Sequence, residues 1–265
     1  MSAQAVAGES GPSGAATGSG PFTLAIDIGG TGLKAMVLDA IGQPVSDRVR
    51  CPTTYPAPPA KLVADLVDLV RPLPAHDRVS VGFPGMVRNG RVLSAPHFVT
   101  AKGPGSAIVA ELVDAWAHQD LAASLEEALG RPVRVVNDAD LQGVAVVSGH
   151  GLELVVTLGT GLGTAIFQGG HVAPHLELSH HPFRKGRTYN EVVGDAARRR
   201  IGNRRWSKRV RSALETLDAL MFYDVVYVGG GNARHVTVDL GPKARTIDNR
   251  AGMLGGIKLW DRRIT

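Results

Sequence analysis

The chain of 265 residues holds a single cysteine, Cys51, so it forms no internal disulfide and builds no cysteine-based zinc cluster. It has no apolar run long enough to span a bilayer. Its first twenty residues have neither the basic start nor the apolar run of a secretory signal. They are almost wholly Ala, Gly, Ser, Pro and Thr, a composition that buries no core, so residues 1–20 are expected to be a flexible tail. A cytoplasmic protein with no membrane partner is the expectation from these absences. The remainder is ample for one large domain or two small ones, with 44% hydrophobic residues and a mean hydropathy of +0.03.

Glycine is abundant, at 33 residues, and two glycine turns echo each other. Phe22 to Ile26 leads into Asp27-Ile28-Gly29-Gly30-Thr31-Gly32, and the chain resumes as Leu33 to Leu38. Leu154 to Val156 leads into Thr157-Leu158-Gly159-Thr160-Gly161-Leu162-Gly163-Thr164, and Ala165 to Phe167 follows. Each reads as strand, turn, strand. Glycine there permits positive φ and lets backbone N–H groups approach an anion, and the threonine hydroxyls add donors. Two phosphate-gripping hairpins imply one phosphate chain held between them. Asp27, ending the first strand, stands where a magnesium-phosphate complex would want a carboxylate.

Between and after the hairpins, strand-like and helical stretches alternate. Val45 to Arg50 reads as a strand, Lys61 to Val70 as a helix stopped by Pro72 and Pro74, and Val79 to Val81 as a strand entering Gly82-Phe83-Pro84-Gly85. Asp120 to Leu129 reads as an amphipathic helix closed by Gly130, handing over to a strand from Val133 to Val136. This rhythm favours an α/β fold. The last strand runs into Asn137-Asp138-Ala139-Asp140 and a helix from Leu141 to Val147. Asp138 is a candidate base, and Asn137 or Asp138 is equally a candidate helix cap. In His175-Leu176-Glu177-Leu178-Ser179-His180-His181, the flanking Pro174 and Pro182 disfavour a helix. These polar residues therefore suit a loop that binds hydroxyls better than a zinc site. Asp224 to Val228 is a strand entering Gly229-Gly230-Gly231 before an expected helix, and the small residues of Ala251 to Ile257 suit tight helix packing.

Taken in order, Asp27 to Gly32 with Lys34, Gly82 to Gly85, Asn137 to Asp140, Thr157 to Gly161, Glu177-x-x-His180 and Gly229 to Gly231 resemble the motifs of the ROK sugar kinases. That family lies within the actin-like ATPase clan, and the chain is most similar to its polyphosphate glucokinase branch. The resemblance covers about residues 22 to 260. It implies two RNase H-like lobes with the active site in the cleft between them, an N-terminal lobe over 21–137 and a C-terminal lobe over 138–265. It makes Asp138 the base toward a sugar 6-hydroxyl. Asn137, Gly85, Glu177 and His180 would hold the sugar. Asp27, Gly29, Gly30, Thr31, Gly32, Lys34, Thr157, Gly159, Thr160, Gly161 and Gly229 to Gly231 would hold ATP or polyphosphate, with Mg²⁺ near Asp27. A homodimer is also implied.

The chain departs from that family at three places. Glu-x-Gly-His is here Glu177-Leu178-Ser179-His180, His97 replaces an asparagine after Ala95-Pro96, and Glu191 is the nearest match to a further sugar-binding glutamate. The family's cysteine zinc motif is absent, so no zinc is expected. An ATP-only kinase for another sugar or an amino sugar, a non-catalytic sugar or nucleotide sensor, and a polyanion-binding module using a basic stretch are the alternatives.

Acidic residues are scarce between Arg184 and Arg211, where eleven basic residues face only Glu191 and Asp195. Arg198, Arg199, Arg205, Lys208 and Arg209 are the centre of a candidate polyanion patch, for which polyphosphate is the fitting partner. A solvated helix face with Trp206 as a packing anchor is the plain alternative. No helix-turn-helix segment precedes residue 22, and no nucleic-acid partner is expected.

Overall fold

The apolar runs flanking the first glycine turn form antiparallel strands β1 (Thr23–Ile28) and β2 (Gly32–Leu38) in a computed structural model that describes residues 18–247 and 251–260. On β2 the period of two is visible in burial, with Leu33, Ala35 and Val37 in the core and Lys34 and Met36 half-exposed. β3 (Val49–Pro52) pairs antiparallel with β2, and β4 (Arg78–Phe83) lies parallel to β1. After a short ribbon of β5 (Val87–Arg88) and β6 (Arg91–Val92), β7 (Val133–Asn137) lies parallel to β4. The resulting five-stranded order is β3-β2-β1-β4-β7.

The second half repeats the plan. β8 (Leu152–Leu158), β9 (Leu162–Gln168) and β10 (His171–Val172) form an antiparallel meander. After a ribbon of β11 (Pro182–Arg184) and β12 (Arg187–Thr188), β13 (Val225–Gly229) and β14 (Ala244–Thr246) add in parallel. The order β10-β9-β8-β13-β14 has the same strand directions as the first sheet. The chain is thus α/β with two sheets of one topology, each opened by a glycine hairpin.

The helices follow from their apolar faces. α1 (Pro59–Val70) starts on a proline suited to the first turn and buries Leu62, Leu66 and Val70. α2 (Ala110–Trp116) contributes Trp116, which packs with Phe83 and Phe98 at centroid distances of 5.5 Å. α3 (Leu121–Leu129) is capped by Asp120, whose carboxylate accepts from the Ala123 N–H at 3.0 Å, and closes at left-handed Gly130. α4 (Asp138–Val146) is buried on several sides and packs on strands of both sheets. α5 (Tyr189–Val193), α6 (Asp195–Ile201) and α7 (Asn203–Met221) cover the second sheet, with Trp206, Val210, Leu214 and Leu217 in its core.

The final described helix, α8 (Ala251–Lys258), returns to pack on α4, β1 and β4. Its small residues permit this, because a Cβ at Gly255 would collide with the Leu141 carbonyl oxygen. Gly255→Ala is expected to destabilise the fold by about 2 kcal/mol or more, since neither backbone can yield. A melting temperature within 1 °C of wild type, against the expected drop of roughly 4 °C or more, would contradict that packing.

Several expectations shift. The strand expected over 45–50 is β3 four residues later, and the helix expected after Gly231 is only a 3₁₀ turn at Ala233–His235. The β-branched Val236, Thr237 and Val238, followed by Gly241-Pro242, leave no room to extend it. The expected tail lies, through residue 17, outside the described residues. No described helix is long and apolar enough to cross a membrane.

Candidate active site

Asp27 pairs in register with Gly82, and Gly82 with Val136, so Asp27 and the Asn137-Asp138 junction lie at the carboxyl ends of β1 and β7, the parallel strands on either side of β4. Open α/β sheets hold ligands at this edge. Asn137 is the cap of α4: its Oδ1 accepts from the Ala139 N–H at 2.7 Å, and its Nδ2 donates to the Gly85 carbonyl at 3.0 Å. Both ends of its amide are therefore engaged, and the cap ties α4 to the Gly82-to-Gly85 turn. Asp138, one residue on, faces an open cleft of about 650 Å³.

Gly85, His97, Asn137 and Asp138 line one side of that cleft, and Thr157, Gly159, Thr160, Gly161, Glu177 and His180 line the other. The second glycine turn is held from behind. Asp195 donates its N–H to the carbonyls of Gly159 and Thr160 at 3.1 and 3.2 Å, and Asn232 Nδ2 donates to Gly159 at 2.9 Å. Gly159 itself has nothing within 4 Å of where a Cβ would project, so its Cα face is open to a ligand while its N–H donates to the Gly161 carbonyl at 3.0 Å. Gly161 is there for close packing, because a Cβ would run into the Asn190 amide, whose Oδ1 accepts from the Leu162 N–H at 2.7 Å.

The triple glycine abuts the same hairpin, with Gly229 in register with Thr157 and Gly230, at φ 86°, lying against the Leu158 backbone. Gly231 is open. None of Gly29, Gly30, Gly32, Gly159 and Gly161 adopts the left-handed φ expected of them. At Gly30 and Gly161 it is close approach of neighbouring side chains, not backbone conformation, that selects glycine.

The first glycine turn lies beside the cleft. Its carbonyls at Gly29 and Gly30 accept from the Thr53 and Tyr55 hydroxyls, each at 2.7 Å, and Gly30 packs on the His97 ring. Exposed Thr31 and half-exposed Gly32 complete this turn. Lys34 Nζ meets Asp27 Oδ2 at 2.8 Å, with both side chains about 40% exposed.

The cleft carries concentrated negative charge. Burial, then the neighbouring charge of Asp27, push the Asp138 carboxyl up to about 7; Asp140 and Glu177 add to this against the opposing Ala139 N–H. Glu177 is held below its ordinary value, first by a hydrogen bond from His175. His175 is raised to about 9: burial opposes its charge, and Asp140 and Glu177 outweigh burial. Burial holds His97 down against the pull of Glu177.

Glu191 does not join the site. It is exposed and forms the capping box of α5 with Thr188, whose N–H donates to Glu191 Oε2 at 2.8 Å. Its neighbour Asn190 lines the cleft instead. Asp140, Asn190, Asp195 and Asn232 are site-building residues without an assigned role in the sequence reading, and His175, expected in a hydroxyl-binding loop, is buried against Asp140 instead.

In the basic region Arg198 and Arg199 both pair with Asp195, at 2.8 and 2.6 Å, while Arg204, Arg205 and Lys208 line an exposed hollow of about 430 Å³. Burial and then the charges of Arg184, Arg200 and Arg187 hold Arg209 below its ordinary value. Trp206 is fully buried and donates Nε1–H to the Val193 carbonyl at 2.7 Å, so it is a packing anchor. Asp195 thus joins the basic surface to the second glycine turn.

Comparison with known proteins agrees with this architecture. The model of the ROK family matches residues 23–175. A polyphosphate glucokinase of Mycobacterium leprae is 29% identical over 230 residues, 79% of this chain and 63% of that protein. The chain therefore spans less than two thirds of that relative's length. An N-acetylmannosamine kinase of Escherichia coli strain SE11 is 35% identical over 154 residues, 56% of this chain and 48% of that one. The crystal structure of the inorganic polyphosphate/ATP-glucomannokinase of Arthrobacter sp. strain KM superposes with a TM-score of 0.73 at 29% identity, covering 90% of this chain and 97% of that one.

Proposed function

Because the chain belongs to the ROK family, we propose that it is a sugar kinase, moving a phosphoryl group from polyphosphate or ATP to the 6-hydroxyl of glucose or a similar hexose. The observation that carries this reading is Asp138, a carboxylate raised to about 7 in a cleft that also presents the open Cα face of Gly159. Phosphoryl transfer depends on positioning and charge neutralisation, with a carboxylate orienting the attacking hydroxyl. Asp138 accepts the proton of that hydroxyl, and its raised pKa matches it to the task near neutral pH. Glu177 and His180 hold sugar hydroxyls, and the second hairpin with Gly229 to Gly231 holds the donor. Asp27 and Lys34 lie on the first hairpin, where a phosphate approaches.

Among the described residues no group of three or more His, Cys, Asp or Glu side chains converges on a metal site. One part-exposed carboxylate fits a Mg²⁺ held mostly by donor phosphates and water, with Asp27 as its protein partner. When bound there, the ion neutralises phosphate charge.

Support for polyphosphate as donor comes from the basic surface of α6 and α7, which starts at the hairpin that would hold the donor. Charge reversal at Arg205 and Lys208, which line the hollow, is expected to raise the polyphosphate KM about 10-fold at low salt and leave the ATP KM unchanged. The gap is expected to close as salt rises; an equal effect on both donors would remove the patch from the donor path. A second reading, an ATP-dependent kinase for an amino sugar, is favoured by the N-acetylmannosamine kinase likeness. A panel of hexoses and N-acetylhexosamines against ATP and polyphosphate, read as phosphosugar formed, separates the two. No product with any pair would sink both and leave the sensor reading.

A further inference from the structure

We infer that His175 is a positioning residue for the acceptor wall: anchored by buried Asp140, its ring fixes the carboxylate of Glu177 against the cleft. The inference takes its substrate from the kinase reading above. His175 Nδ1 lies 3.1 Å from Asp140 Oδ1 and Nε2 lies 3.7 Å from Glu177 Oε1, so both ring nitrogens face carboxylate oxygens. A neutral imidazole has one N–H and can satisfy only one of them, whereas the imidazolium satisfies both. The His175 and Asp140 side chains are 4% and 5% exposed, while Glu177 is 32% exposed, so the arrangement runs from the protein interior to the cleft surface.

Glu177 needs such an anchor. It stands in an irregular loop at the start of a 3₁₀ turn, where backbone ladders do not fix its direction. Ser179 Oγ donates to Glu177 Oε2 at 3.3 Å, and the other oxygen faces the His175 ring as an ion pair at 3.7 Å. The charged and titratable groups around the pair are Asp140 and, beyond it, Asp138 on α4, His180 on the same loop, and His97 from the opposite wall. One imidazolium among Asp138, Asp140 and Glu177 also offsets part of a charge that would otherwise be unpaired.

His175 is raised to about 9, so its positive charge is present below that pH and is lost as pH rises through it. The hold on Glu177, and with it sugar affinity, is expected to weaken above about pH 9. Replacing His175 by glutamine removes the charge and with it the ion pair to Glu177. In the full chain with glucose and ATP as probes, His175→Gln is expected to raise the glucose KM about 10-fold, well below the cost of breaking a fully buried ion pair. The ATP KM should hold and the alkaline limb of kcat/KM for glucose near pH 9 should vanish. A merely structural role would depress both substrates alike and leave the limb in place, and that outcome overturns the inference.

Ring ¹⁵N NMR of the ligand-free protein decides the point without turnover. His175 should be doubly protonated at pH 8, and Glu177→Gln should lower its titration midpoint. A neutral His175 at pH 7, or a midpoint indifferent to Glu177→Gln, would overturn the inference whether or not glucose is the acceptor. Absence of glucose phosphorylation by the wild-type chain would count against the kinase reading alone.

Discussion

Asp138→Asn is expected to lower kcat for sugar phosphorylation by about 10³-fold, the middle of the range for general base catalysis, while donor affinity stays within about 3-fold. The amide keeps the shape of the carboxylate and accepts no proton. The same substitution should make the fold more stable. A carboxyl moved from an ordinary 3.8 to about 7 is charged at pH 8 in surroundings that disfavour the charge.

The full shift corresponds to about 4 kcal/mol, of which on the order of 2 kcal/mol remains after discounting for the part-open cleft. The sign follows from the raised value: the gain should be complete above pH 7, shrink as pH falls toward 4, and be absent below that. In wild type, kcat/KM should fall as pH drops through about 7, since it reports the free enzyme's base. Turnover of the asparagine variant near the wild-type rate would remove Asp138 from the base role.

Gly161→Val is expected to raise the donor KM about 100-fold, the cost of displacing a reacting group by about 1 Å. A valine side chain would be driven into the Asn190 amide and break its bond to the Leu162 N–H, which together set the shape of the turn. Asn190→Ala in the same background should recover part of the loss by making room. Gly159→Ala is the informative partner, because nothing in the protein opposes a methyl group there. It should fold as wild type and weaken the donor by crowding the ligand alone. Unchanged donor KM in both Gly161→Val and Gly159→Ala would place the donor elsewhere.

Much of this site can be read from the chain because its parts are local. A glycine turn between two apolar runs is a short-range signal, and so is a strand ending in Asn137-Asp138 before a helix. The Thr188-x-x-Glu191 spacing is another, a capping box that accounts for Glu191 outside the cleft. What cannot be read is long-range. Asp140 and His175 are 35 residues apart, and Asn190 reaches back 28 residues to Leu162; only folding of the second sheet brings these together. The glycine turns mislead in one respect, since their backbone is ordinary and the need for glycine at Gly30 and Gly161 comes from neighbours distant in sequence, Pro104 and His97 for the first and Asn190 for the second.

The return of α8 to the first sheet is similar. The small residues at Gly255 and Gly256 signal close packing, but the partners, Leu141, Ala25 and Ser80, are set by topology. The basic stretch is legible as charge and not as shape. Its pairing through Asp195 to the Gly159 turn emerges only from the fold.

The central claim is phosphoryl transfer to a sugar hydroxyl with Asp138 as the base. ³¹P NMR of the wild-type chain with glucose, Mg²⁺ and either ATP or polyphosphate tests it most directly. The predicted result is a growing glucose 6-phosphate resonance with at least one donor, and none with Asp138→Asn under the same conditions. No sugar phosphate from the wild type, or the same signal from both proteins, would contradict the account.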